Sequence, residues 1–187
     1  MEKIAWTTGC ILRDEGKYCI EWASWLHLIG SDRLICVLHQ CQDYTEARLN
    51  LVKEQLGMDI RIHRSTTDDK KVQMGTYHWI HEKYGSETEW MLFLDGDEYP
   101  YAVNPSVNYR DNIKELLHSF DKKVSSVSFN AKVFGPNGHI VSPDNRLTAF
   151  TTRLPHNNLS NRAIKSFFRP KDMVAVMSPH NRSKDYR

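Results

Sequence analysis

The chain has 187 residues, a formal net charge of +2, 40% hydrophobic and 26% charged residues. That length suits one domain with a sizeable core, and the composition is ordinary for a soluble globular protein. Its basic residues are scattered, apart from short pairs such as Lys70-Lys71 and Lys122-Lys123, so neither nucleic acid nor an anionic membrane is expected as partner.

Ile4 to Leu12 reads as a strand, followed by the polar turn Arg13-Asp14-Glu15-Gly16. Tyr18, Trp22, Trp25, Leu26 and Ile29 then recur at helical spacing, with Gly30 as a stop. Arg33 to Leu38 is a short apolar strand. Asp43-Tyr44-Thr45-Glu46 matches a capping box, with the aspartate capping and the glutamate reaching back. Leu49, Val52 and Leu56 line one face of the helix it opens, which Gly57 ends. Met58 to His63 alternates as a third strand. Gln73, Tyr77, Ile80 and Tyr84 mark a third helix, stopped by Gly85.

A fourth strand follows in Trp90-Met91-Leu92-Phe93-Leu94-Asp95-Gly96-Asp97-Glu98. Five apolar residues with no polar face suit a strand buried on both sides. Two carboxylates inside such a strand would be very costly, which puts them at its carboxyl end, at a surface or cleft. Ligands bind at that edge in open α/β sheets. Strand and helix signals alternating in this way predict right-handed βαβ units and a mostly parallel sheet. The second half is less regular: an amphipathic helix through Ile113, Leu116, Leu117 and Phe120, and a half-buried strand through Val127, Phe129, Ala131 and Val133. A loop rich in Asn and Pro, a short strand from Ala163 to Phe168 and a polar tail complete the chain.

Cys10, Cys19, Cys36 and Cys41 lack the close C-x-x-C pairs of a zinc site and are expected as free thiols in a reducing compartment. The N-terminus lacks the order of a signal peptide, and no apolar run approaches the ~20 residues of a membrane span. A cytoplasmic protein without a transmembrane segment is expected.

Asp95 and Asp97 make a compact oxygen-ligand site for Mg²⁺ or Mn²⁺, ions that bind diphosphates well; the alternative is a strand ending in an acidic turn. Glu98 is a candidate base or an exposed turn residue. His180 bears on the site only where the tail folds back onto it. The glycine-bracketed stretch Phe134 to His139 reads as a turn or a close backbone approach. Lys165 and Arg169 bracket the last strand, facing phosphate or solvent. His63, His78 and His81 have no ligand spacing. G-x-G-x-x-G, Walker A and G-x-S-x-G signatures are all missing, against dinucleotide, P-loop and serine-hydrolase chemistry.

Four segments occur in a telling order: Arg13-Asp14-Glu15, Leu94 to Glu98, Asn130 to His139, and Lys165-Ser166-Phe167-Phe168-Arg169-Pro170, followed by His180. In this the chain resembles the family 2-like glycosyltransferases of the GT-A fold, close to the group that includes the family 92 enzymes. There a K-N-E turn, an L-D-x-D-E strand end, an N-W-x-x-F-G-x-x-G-H segment and a K-x-x-x-R-P segment recur in that order. The resemblance implies a single GT-A domain over residues 1–187, Rossmann-like and α/β, with a nucleotide-binding half (1–97) and an irregular acceptor-side half (98–187).

It also implies roles. Asp97 and His180 would ligate Mn²⁺ or Mg²⁺, with Mn²⁺ favoured, and Asp95 would contact the donor ribose or a metal-bound water. Arg13 and Glu15 would line the nucleotide pocket, with His39 and Gln73 also on the donor side. Lys165 would approach the diphosphate, and Gly135 to His139 would lie near the acceptor or transferred sugar. The pattern departs in Leu38-His39-Gln40, where the family carries an acidic Y-D-N, and in Arg13-Asp14-Glu15 for K-N-E. Leu147-Thr148-Ala149-Phe150 lacks the glutamate of many relatives, leaving Asp144 and Glu98 as base candidates. The chain also stops soon after His180, so a C-terminal element covering the acceptor is expected to be absent. The implied activity is metal-dependent, inverting transfer of a sugar from a nucleoside diphosphate sugar, a uridine one favoured, to a glycan or other hydroxyl acceptor. The alternatives are a D-x-D phosphohydrolase or phosphotransferase, and a non-catalytic sugar-nucleotide or glycan-binding module.

Overall fold

The computed structural model describes residues 3–102 and 110–173. Strands β1 (Ile4–Leu12), β2 (Arg33–His39), β3 (Asp59–Ser65) and β4 (Thr88–Phe93) alternate with helices α1 (Cys19–Leu28), α2 (Thr45–Leu56) and α3 (Val72–Tyr84). Beyond them come α4 (Asn112–His118), β5 (Ser126–Asn130), the short α5 (Arg146–Ala149) and β6 (Ile164–Phe168). Together they form one six-stranded sheet in the order β3-β2-β1-β4-β6-β5. The first four strands are mutually parallel, and β6 runs antiparallel to both neighbours. This is the mostly parallel α/β sheet expected from the alternating signals.

The uninterrupted apolar run of β4 is explained by its two covered faces. Trp90, Leu92 and Leu94 enter the core formed with α1 and α2, whereas Met91 and Phe93 enter the core around Tyr77 and Ile80 of α3. Tyr77 stacks on Phe93 at 4.3 Å between ring centroids. A Cβ at Gly9 of β1 would stand only 2.7 Å from the Phe93 ring, so the glycine makes room for that stack. Gly57 ends α2 in the left-handed region (φ 66°), as its position predicts.

Local details differ from expectation. Glu46 does not close a capping box: it forms a bidentate pair with Arg64 of β3. Asp43 still binds the start of α2, its Oδ1 accepting from Thr45 N at 3.0 Å. The strand read through Val133 stops at Asn130, and Leu116 of α4 is exposed. All four cysteines are free, and burial pushes the Cys19 thiol up to about 12, far from thiolate chemistry. No described helix is long and apolar enough to cross a membrane.

Candidate functional site

The strand order reverses between β1 and β4, which have β2 and β6 on their outer sides. A crevice at the carboxyl ends of these strands is where an open α/β sheet takes its ligands. The Asp95-Gly96-Asp97 turn lies there, packed on the turn after β1: a Cβ at Gly96 would meet Leu12 Cδ2 at 3.0 Å and Glu15 Cγ at 3.2 Å. Close approach of two turns therefore requires glycine between the carboxylates. Downstream, the indole N–H groups of Trp22 and Trp25 donate to the carbonyls of Glu98 and Pro100, tying this segment to α1.

Asp95 is held from three directions. Gln73 Nε2 donates to its Oδ1 at 2.9 Å and Tyr77 Oη at 3.3 Å, while Lys165 Nζ donates to Oδ2 at 3.2 Å. Lys165 is buried and also pairs with Glu98 Oε2 at 2.8 Å, the same oxygen that accepts from Asp95 N. Burial pushes the Glu98 carboxyl above its ordinary range, and the charge and hydrogen bond of Lys165 pull it partly back. Gln73, Asp95, Glu98 and Lys165 thus converge from α3, β4 and β6. Asp97 is exposed and, among the described residues, has no hydrogen bond or ion pair.

Glu15 lies beside this turn. Burial raises its carboxyl, Arg146 lowers it, and the negative charges of Asp97 and Asp43 raise it again. Arg146 had no motif to mark it, yet it is central here. Its Nη1 donates to Gly96 O at 3.2 Å and lies 3.7 Å from Glu15, and its guanidinium sits 3.8 Å above the Tyr18 ring. Glu21 of α1 accepts from Arg146 N and Leu147 N, anchoring the first turn of α5. Lys17 and Tyr18 donate to the carbonyls of Ser142 and Pro143. The segment 142–147 is therefore fastened along α1 and over the D-G-D turn. Within that segment the Asn145 side chain caps α5, accepting from Thr148 N.

Other candidates lie further out. His39 ends β2 with its Nδ1 buried and unpartnered among the described residues. Arg13 is exposed. Asp144 is fully exposed beside Lys17 at 3.6 Å. The stretch 134–139 packs on the segment after α5, with Gly135 N donating to Thr152 O and His139 edge-on to Phe150. Arg169 is engaged structurally, donating to Glu89 at 2.6 Å and lying over the Trp90 ring. His63 binds Tyr84 Oη, and His78 pairs with Glu82. His81 faces Pro170 O. His180 falls outside the described residues.

Asp14, Cys41 and Asp43 bring one donor atom each within 4.8 Å of one another, at the ends of β1 and β2. Their atoms already serve the loops. Asp14 Oδ1 accepts from Gln42 N, Asp43 Oδ2 from Gly16 N, and burial raises the Cys41 thiol. The trio is a clamp between two loops, not an open ligand set.

No protein-family model matches the chain, and no curated relative matches it. Among solved structures, S. aureus TarS residues 1–349 superimposes with a TM-score of 0.54 at 16% identity, over 89% of this chain and 47% of that one. A structure of the same TarS segment in complex with UDP gives a TM-score of 0.49 at 17% identity over the same shares. The chain thus spans about half the length of these structures. At this identity the likeness is one of fold: the chain shares the Rossmann-like α/β fold of that TarS segment.

Proposed function

We propose that the protein is a glycosyltransferase that transfers a sugar from a nucleoside diphosphate sugar, UDP-linked by preference, to a hydroxyl acceptor with inversion. One observation carries this reading. The Asp95-Gly96-Asp97 turn stands at the switch point of the sheet with one carboxylate locked by Gln73, Tyr77 and Lys165 and the other exposed and unpartnered among the described residues. A divalent ion fits the free one. Asp97 offers exposed carboxylate oxygens, and ions of this kind use one or two carboxylates together with substrate phosphates. Asp97 would hold Mn²⁺, or less favoured Mg²⁺, with Asp95 and His180 as further ligands. When bound, such an ion neutralises the charge that builds on the departing diphosphate.

The chain's own residues supply the rest. His39, its buried Nδ1 unpartnered among the described residues, and Arg13 face the nucleoside from the ends of β2 and β1. Asp95 accepts from the donor ribose. Arg146 and Glu15 keep the turn in place, and Lys165 adds positive charge beside the diphosphate. Glu98 takes the proton from the acceptor hydroxyl as it attacks in line, since Oε2 is held by Lys165 and Asp95 N whereas Oε1 has no hydrogen bond among the described residues. Asp144 is the second candidate for that base, but it points to solvent. The locked Asp95 favours a ligand-binding role over that of an attacking phosphohydrolase nucleophile.

Calorimetric titration with UDP and GDP, each with and without Mn²⁺, tests the reading. UDP binding that requires Mn²⁺ and disappears in Asp97→Ala supports it. Binding of neither nucleotide with metal present overturns it.

A further inference from the structure

We infer that a second cavity, on the β5 side of the same sheet edge, is a subsite for a negatively charged, polyhydroxylated acceptor; the inference rests on the glycosyltransferase reading above and names its acceptor class. The cavity measures about 560 Å³, within the size range of small-molecule sites. Its position follows from register. Lys165 reaches Asp95 from β6 and pairs with Phe129 of β5, and the next pair toward the edge is Ile164 with Asn130. Because β6 is antiparallel to both neighbours, β5 runs in the same sense as β4, and Asn130 ends β5 at the edge where β4 delivers Asp95. Two strand spacings, about 10 Å, separate them laterally, a reach suited to a sugar unit between the two sites.

The floor of the cavity is a fastened amide frame. Asn161 is buried, and its side chain accepts from Val133 N at 3.0 Å and donates to Pro155 O at 2.9 Å. Asn130 Nδ2 donates to Asn161 O, and Asn158 Oδ1 accepts from Ser160 N. These bonds join the segments 130–133, 155–158 and 160–161 into one wall. Around it stand Lys132, His156, Asn157 and Arg162. Lys132 is half-buried, and neither it nor Arg162 has an ion-pair partner among the described residues. No carboxylate lines the cavity.

Two positive charges with no counter-charge among the described residues, set beside amide groups that can both donate and accept, match one kind of ligand. Amides and sugar hydroxyls exchange hydrogen bonds in both directions, and an anionic group answers the cations. A neutral glycan would leave the Lys132 and Arg162 charges uncompensated. A bare anion would leave the amides unused.

The test is titration of ¹⁵N-labelled protein with glucose 6-phosphate, glucuronate, glucose and inorganic phosphate, alongside UDP with Mn²⁺. Glucose 6-phosphate or glucuronate should shift the side-chain amide signals of Asn130 and Asn157 and bind at least tenfold more tightly than glucose or inorganic phosphate. The stronger of the two names phosphate or carboxylate as the anionic group. The variant Lys132→Glu with Arg162→Glu, and its neutral counterpart Lys132→Gln with Arg162→Gln, should lose that binding while UDP binding stays unchanged. Equal binding of glucose, equal binding of inorganic phosphate, no binding of any probe, or unaltered binding in both variants overturns the inference. If wild-type protein binds the anionic sugars but not UDP with Mn²⁺, the glycosyltransferase reading fails and the acidic-sugar subsite stands.

Discussion

Lys165 Nζ lies 2.8 Å from Glu98 Oε2, joining β6 to the turn that follows β4. Lysine and glutamate come from distant parts of the chain, and the pairing exists only because β6 is laid beside β4 in the sheet. Lys165 is thus the sole described cation within hydrogen-bond reach of both Asp95 and Glu98.

The titration of Glu98 should report this pairing. Burial raises its carboxyl above the ordinary value of 4.5, and Lys165 opposes the rise. The fold therefore favours the protonated acid. That contribution to stability is fully present below the ordinary value and is lost as pH rises through the folded one, above which Glu98 is competent as a base. Lys165→Met should move the midpoint further up, read from the Glu98 carboxyl ¹³C shift. An unmoved or lowered midpoint would show that the lysine does not govern this group.

Asp97→Ala should abolish Mn²⁺-dependent UDP binding with a change in stability within about 0.5 kcal/mol, as for an exposed residue without partners among the described residues. Calorimetry and thermal melting measure the two effects separately. A variant that binds UDP and Mn²⁺ as before removes Asp97 from the site.

Arg146 makes three kinds of contact, with Gly96 O of the D-G-D turn, with Glu15 and with the Tyr18 ring, and its planar group is suited to all of them. Arg146→Ala should weaken UDP binding about tenfold or more, equivalent to about 1.4 kcal/mol. Arg146→Lys should recover only part, because an ammonium cannot stack on Tyr18 as a guanidinium does. Equal affinities in all three proteins would make the arginine a surface fastening without bearing on the site.

Gly9→Ala tests the packing beneath the site. The added Cβ meets the Phe93 ring at 2.7 Å and Ile80 at 3.2 Å, and overpacking of this kind costs about 1–3 kcal/mol. Urea denaturation should show a lower midpoint with an unchanged slope. An unchanged midpoint would mean that the Tyr77–Phe93 stack shifts freely.

Much of the fold was legible because its signals are local. The bounds of β1 match the reading from Ile4 to Leu12, and the run ending in Asp95 declared a strand covered on both faces. Gly57 marked a helix end by the conformation it alone adopts cheaply. Glu46 was misassigned because its partner Arg64 lies on β3, a pairing that helical spacing cannot see. The site divides similarly. Asp95, Asp97 and Lys165 stand in recognisable segments, whereas Arg146 and Glu21 act through contacts between an irregular loop and a helix, with no periodicity to announce them.

The placement of β6 between β4 and β5 also has a mechanical consequence. Strands from the first and second halves of the sequence share one continuous ladder, so swinging the halves apart as rigid bodies would shear backbone hydrogen bonds. Asp97 is exposed with that ladder intact, so the D-G-D turn is reached without parting the halves, and the fastenings at Lys17, Tyr18, Glu21 and Arg146 hold the 142–147 segment to the same frame.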